Sequence, residues 1–198
     1  MSNDKRPIIG IDWGTIHSCD GIIRNCRVEI IPEANSEKNI SSNISFTPKK
    51  ILIGTEARNK MRQYPESSIF ESKRIIGHKY SNPHVQKYIK RWRMKIIEDT
   101  EIKKSKYVIK VNNKDKEYFP EDFSSMILQY LKKIAIHYEN NENIKNEVIT
   151  VPAHFNDLQR KETIETSKFL SSILNINIFF LYLNNIILHE QLQQQLFH

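Results

Sequence analysis

Cysteine is almost absent: the 198 residues hold two, Cys19 and Cys26. Two thiols build neither a disulfide framework nor a zinc site, and a reducing compartment follows. Both fall in β-patterned sequence, where a core thiol is the expectation. Glycine (5) and proline (7) are also scarce, which excludes collagen-like and Gly/Pro-rich low-complexity chains. There is no arginine-rich arm and no zinc-finger spacing. The opening Met-Ser-Asn-Asp-Lys-Arg-Pro has no apolar core, so no secretory leader is expected and the cytoplasm is the expected location.

What is present is globular. Hydrophobic residues make up 39% and charged residues 27%, too much apolar matter for a wholly disordered chain. The length suits about one domain with a sizeable core. Isoleucine (31), lysine (21) and asparagine (18) are overused. All three can be spelled with A/T-rich codons, so lysine runs carry little functional weight. The net charge is +7, but the densest basic stretch, Lys87 to Lys110, also holds Glu98, Asp99 and Glu101. That reads as a solvated face, and no specific nucleic-acid partner is expected.

Ile8 to Ile11 reads as a buried strand, broken by a turn at Asp12-Trp13-Gly14-Thr15. Ser18 to Ile23 and Arg27 to Ile31 complete a β-meander. Residues 33–50 are polar, and Ile51 to Gly54 is a short strand. Thr55 is expected to cap a helix running to Tyr64 and ended by Pro65. Lys106–Val111 and Glu117–Phe119 suggest a hairpin around Asn112 to Asp115. The strongest helix is Pro120 to Tyr138, with Phe123, Ile127, Leu131 (or Tyr130), Ile134 and Tyr138 on one face and Asn140-Asn141 closing it. Glu147 to Val151 is a strand stopped by Pro152. A helix then starts at Asn156-Asp157, with Asp157 as its cap, and runs to about Lys168.

The tail differs. No lysine or arginine follows Lys168, and 169–188 is long enough to span a bilayer. Its six Ser and Asn residues make a membrane span a weak candidate, because asparagine is costly in hydrocarbon unless paired. A buried or misfolding-prone segment is expected instead, followed by a frayed Gln191–Gln195.

The turn after the first strand has chemical potential. Glycine lets a backbone approach a ligand, amides and the Thr15 hydroxyl can hold phosphate oxygens, and Asp12 can hold Mg²⁺ through water. A plain β-turn explains the same residues. Lys73, taken alone, is a solvated surface lysine.

Seven stretches, in order and spacing, resemble the 70-kDa heat-shock protein chaperones of the actin-like ATPase superfamily. They are Ile9 to Thr15, Arg27 to Pro32, Ile53-Gly54 with Glu56-Ala57, Pro65 to Phe70 leading into Lys73-Arg74-Ile75-Ile76-Gly77, Tyr118 to Glu121, Ser124 to Leu128, and Val148 to Arg160. The likeness covers about residues 7–168. It implies an α/β fold: lobe I of the actin-like (ribonuclease H-like) ATPase, incomplete, with an outer subdomain inserted at about 41–117. It also implies ATP/ADP and Mg²⁺ as cofactors. Asp12 would lie near the Mg²⁺, Gly14, Thr15 and Ile16 would line the β- and γ-phosphates, and Lys73 would contact the γ-phosphate and position the attacking water. Asp12 and Lys73 are thus the implied catalytic pair. Pro152, Asn156, Asp157 and Arg160 would couple the ATPase to a substrate-binding half. J-domain co-chaperones, nucleotide exchange factors and unfolded client peptides are the implied partners.

The departures from the family pattern are specific. Ile16 stands where the family has a second threonine, Trp13 where it has leucine, and His154 where it has tyrosine, read here as packing. Asp20 puts a charge into a strand that is apolar in the family, and Arg91-Trp92-Arg93 replaces Trp-Pro-Phe. Beyond about residue 170 the second phosphate loop and peptide-binding domain are not recognisable. Codons for Leu192–Leu196, shifted by two nucleotides, can read Thr-Ala-Ala-Ala-Ile, as the family does near this place. A frameshift or unspliced intron is the expectation for 171–198. The functional expectation is an ATP-binding chaperone-type protein with weak or absent hydrolysis. The alternatives are a non-catalytic fragment that binds co-chaperones and an unstable pseudogene product.

Overall fold

The computed structural model describes residues 8–24, 27–33, 36–140, 144, 146–152, 155–174 and 177–183. Cys26, Asn141, His154 and Gln191–Gln195 lie outside them, so the expectations placed there stay at the level of sequence.

The chain opens with the expected meander. In β1 (Ile8–Asp12) Ile9 and Ile11 are fully buried while Gly10 and Asp12 face outward, the period-two alternation of a strand. β2 (His17–Arg24) and β3 (Arg27–Ile31) follow antiparallel, with Gly10 opposite Gly21 and Gly21 opposite Ile30. The inward face of β2 is Ser18, Asp20 and Ile22. A two-residue strand, β4 (Ile40–Ser41), pairs with its start.

The polar segment 33–50 is more ordered than its composition suggests. It contains β5 (Ile44–Phe46), buried at all three positions, the centre of a small antiparallel sheet with β6 (Ile51–Ile53) and, beyond α1 (Thr55–Lys60), β7 (Ser68–Ile69). Serine is tolerated inside because its hydroxyl is satisfied: Ser45 Oγ donates to the Ala57 carbonyl (2.9 Å) and shares a bond with Ser68 Oγ (2.7 Å). The expected Thr55 cap is corrected. Thr55 is the first helical residue, and its hydroxyl donates to Glu33 (2.5 Å) and Glu37 (3.1 Å) instead. The helix also stops at Lys60, five residues before Pro65, because the Met61 amide turns back onto the Arg58 carbonyl.

The basic stretch is likewise structured. After a single 3₁₀ turn at Ser72–Arg74 comes α2 (Pro83–Ile89), capped by Asn82, whose Oδ1 accepts from the His84 amide (2.9 Å). β8 (Lys95–Glu98), β9 (Ser105–Val111) and β10 (Lys114–Tyr118) form a second antiparallel sheet. The hairpin was expected, but its second strand starts at Lys114 rather than Glu117. Asn112 and Asn113 take φ of 50° and 62°, which closes the hairpin in two residues.

The long helix α3 (Pro120–Glu139) is the spine. Asp122 accepts from the Phe119 amide (2.7 Å) at its start, and Asn140, at φ 48°, ends it. Phe123, Ile127, Leu131 and Ala135 form its buried stripe. Phe123 joins both small sheets to it, with ring centroids 6.2 Å from Phe46, 4.9 Å from Tyr107 and 5.5 Å from Tyr118.

β11 (Asn146–Pro152), α4 (Asp157–Leu174) and β12 (Asn177–Leu183) complete the main sheet, whose order is β12-β11-β1-β2-β3 with β4 off its β2 side. β11 runs parallel to both β1 and β12, which requires crossovers, and α4 supplies one. The cap of α4 is Asn156, not Asp157: Asn156 Oδ1 accepts from the Gln159 amide (2.8 Å). The ordered elements run past residue 170. Thirteen of the twenty residues 169–188 divide between the end of α4 and β12, which pairs with β11 along seven residues. Among the described residues no helix is long and apolar enough to cross a membrane.

The core lies between the main sheet and α3 and continues into the two small sheets through Phe46, Tyr107 and Ile109, with α4 packed beside α3. It includes an ion pair, Lys132 on α3 to Glu147 on β11 (3.5 Å). Lys104 ties the second small sheet to both long helices through Glu121 (3.2 Å) and Glu162 (2.7 Å).

Candidate functional site

β1 ends at a turn, and the turn is braced from three directions. Gly14 donates its amide to Ser18 Oγ (3.3 Å), and its carbonyl accepts from Ser42 Oγ (3.0 Å); the two hydroxyls lie 2.9 Å apart. The Ser42 amide bonds the Ile16 carbonyl (2.9 Å). Glycine is required at 14 by the turn itself, since a Cβ there would stand 1.9 Å from the His17 carbonyl oxygen. Gly14 and Thr15 are partly exposed, and Ile16 is 51% exposed, an apolar side chain presented to solvent.

Asp12 stands exposed at the strand end, where Thr150 on the neighbouring β11 donates to its Oδ1 (2.7 Å). One exposed carboxylate suits a hard, water-bearing cation such as Mg²⁺, which usually keeps several waters. Among the described residues no group of three or more His, Cys, Asp or Glu could hold a metal directly. The residues therefore fit the ion held through water on Asp12.

Lys73 is not the surface lysine its bare sequence context suggests. The 3₁₀ turn carries it inward until it is 2% exposed. Its Nζ donates to the Trp13 carbonyl, lies 4.1 Å from the Trp13 ring centroid and 5.1 Å from that of Phe155. Burial pushes the amine down to about 7, and the nearby Asp12 carboxylate pulls it partly back up. The fold thus brings Lys73 to Asp12 and Gly14 across some sixty residues of chain.

The second set of expected residues gathers at the start of α4. Pro152 ends β11, Asn156 caps α4, and Asp157 pairs with Arg160 at 3.3 Å on its first turn. Gly77 (φ 70°) docks the Lys73 segment onto this helix start, and a Cβ there would come within 2.9 Å of the Gln159 amide nitrogen. Phe155 leads into the same turn, so the two clusters adjoin through it.

Four contributors were not singled out from sequence. Ser42 lay in a segment read only as polar. Ser18 and Thr150 lay in strands, and their service to the turn appears only when strand register is known. Trp13 stands in the expected turn and departs from the family's leucine, but its contact with Lys73 is not visible in sequence.

The mixed sheet with its strand-end turn is consistent with the actin-like ATPase class. Comparison with known proteins makes the assignment specific. The family model described as "Hsp70 protein" matches residues 8–171. The chain is 40% identical over 159 residues to "Heat shock 70 kDa protein 2" of Paracoccidioides lutzii, covering 79% of this chain and 24% of that protein. It is also 40% identical over 159 residues to "Heat shock 70 kDa protein" of Ajellomyces capsulatus, covering 79% of this chain and 22% of that relative. The chain belongs to the Hsp70 chaperone family and spans about a quarter of the length of these relatives.

Proposed function

We propose that this chain supplies one wall of an Hsp70-type nucleotide cleft: lobe I, with residues of about 41–117 as its inserted outer subdomain. It takes ATP or ADP with Mg²⁺ at the Asp12–Ile16 turn. Gly14, Thr15 and the Ile16 backbone receive the β- and γ-phosphates. Asp12 holds the Mg²⁺ through water, and the ion when bound neutralises phosphate charge. Lys73 lies next to this turn to meet the γ-phosphate and orient the attacking water, stabilising charge as it develops. Pro152, Asn156, Asp157 and Arg160 pass the occupancy of the cleft to a client-binding half. Co-chaperones of the J-domain and exchange-factor classes are the partners of the whole assembly.

Hydrolysis by these residues is weak. Ile16 brings no hydroxyl to the turn, and the Lys73 ammonium is already engaged by the Trp13 carbonyl. The observation that carries the reading is the burial of Lys73 against the turn. A purely solvated lysine has no reason to accept that desolvation, whereas one kept beside an anion-binding turn does.

Isothermal titration of the chain with ATP·Mg²⁺ tests it. Micromolar binding that is lost in both Lys73→Ala and Asp12→Ala is the expected result. No heat at high concentration, or binding indifferent to both substitutions, refutes it.

A further inference from the structure

The surroundings of Lys73 are more aromatic than anionic. Its Nζ faces the ring of Trp13 and, more distantly, that of Phe155, and both rings are nearly inaccessible (2% and 5% exposed). Ring faces attract a cation more strongly once water is removed. The Trp13 carbonyl takes one of the three ammonium donors. The same residue therefore grips the lysine twice, through its backbone and through its indole. The family's leucine at this place could supply the carbonyl but not the ring.

We propose that Trp13 is a positioning residue for Lys73: its indole face and carbonyl, closed by the Phe155 ring, form a box that holds the ammonium on the buried side of the Asp12–Ile16 turn, behind the partly exposed Gly14–Ile16 face. An anion arriving at the turn competes with this box for the lysine. Trp13→Leu keeps the carbonyl and an apolar wall but removes the π face, so the ammonium is released toward the turn. The competition rests on the reading that the turn takes nucleotide phosphate; the box itself does not.

The full chain is acylated with limiting acetic anhydride at one fixed pH, and the modification of each lysine is followed by mass spectrometry. Lys73 is 2% exposed, so access rather than protonation limits its acylation, and it should react far more slowly than the exposed Lys50. Trp13→Leu should raise the Lys73 rate about tenfold, and Trp13→Phe should restore most of the protection. Lys132, 6% exposed, reports on the core and should stay protected throughout. Equal Lys73 rates in wild type and Trp13→Leu, with Lys132 protected, overturn the proposal. If Lys132 becomes reactive in Trp13→Leu, that variant has opened, and the intact ring decides. The ¹⁵N-indole resonance of Trp13, assigned with Trp92→Phe, should move in Lys73→Met, and an unmoved resonance overturns the box. Trp13→Leu should bind ATP·Mg²⁺ about tenfold more tightly than wild type, and equal measurable affinities overturn the competition. If neither chain binds nucleotide, the proposed function fails, while labelling and the indole resonance still judge the box.

Discussion

Asp20 should make the protein less stable as the solution becomes more basic. It sits on β2 with no accessible surface, its carboxylate oxygens have no hydrogen-bond partner, and Glu147 is the nearby like charge. Burial, with Glu147 adding to it, pushes Asp20 from 3.8 up to about 8. Lys132 does not rescue it, because its pairing is with Glu147. Below pH 4 the folded and unfolded chains both keep this proton, and Asp20 costs nothing through ionisation. As pH rises toward 8 the unfolded chain gives it up freely while the folded chain does not, so stability falls. At about 1.4 kcal/mol per pH unit of difference, the loss is about 4 kcal/mol between pH 5 and pH 8. That is a large share of a usual folding free energy. Urea denaturation at pH 5, 6.5 and 8 measures it. Asp20→Asn keeps the shape and removes the ionisation. Its curve should be flatter by about this amount, with a residual slope from Glu147, whose buried carboxyl is also raised. Parallel pH profiles for wild type and Asp20→Asn would refute the reasoning.

Two further outcomes follow from the packing. Phe123→Ala should cost about 3–5 kcal/mol by thermal or urea unfolding, because it empties a site filled against three aromatic rings; a loss under 1 kcal/mol would mean that both small sheets hold to α3 without it. Asn156→Ala should cost about 1 kcal/mol through loss of the α4 cap, and Asp157→Ala clearly less, since the Asp157 side chain is fully exposed and its pair with Arg160 lies at the surface; equal costs in denaturant titrations would return the cap to Asp157.

The meander, the long helix and the turn after β1 were legible because each is written in local pattern. Ile9 and Ile11 alternate, Phe123, Ile127 and Leu131 repeat every fourth residue, and Gly14 interrupts a strand; at the end of the helix the buried position is Ala135, not the expected Ile134 and Tyr138, and Tyr138 is 37% exposed. The small sheets were harder. Ile44-Ser45-Phe46 is buried on every side, and its serine finds its partners at Ala57 and Ser68, which no local window contains. The helix caps failed for a related reason. A hydroxyl or carboxylate at the right place is only a candidate, and Thr55 was claimed by Glu33, twenty-two residues away. Lys73 shows the same limit at the site. The resemblance alone assigned it to the turn after β1, and the aromatic surroundings that bury it come from Trp13 and Phe155, just beyond the ends of β1 and β11, two strands that meet only in the sheet.

The order of the main sheet sets a clock on synthesis. β1 lies at its middle, with β2 on one side and β11 on the other, and Ile8 pairs with Asn146, 138 positions later. At about 5–20 residues per second, that partner is translated roughly 7–30 s after Ile8. For that interval the meander can form while the other edge of β1 has no neighbour. An open edge flanked by isoleucines is a template for pairing with another chain. The nascent chain is therefore most exposed to aggregation until about three-quarters of these 198 residues have been made, when the strand that closes its oldest edge appears.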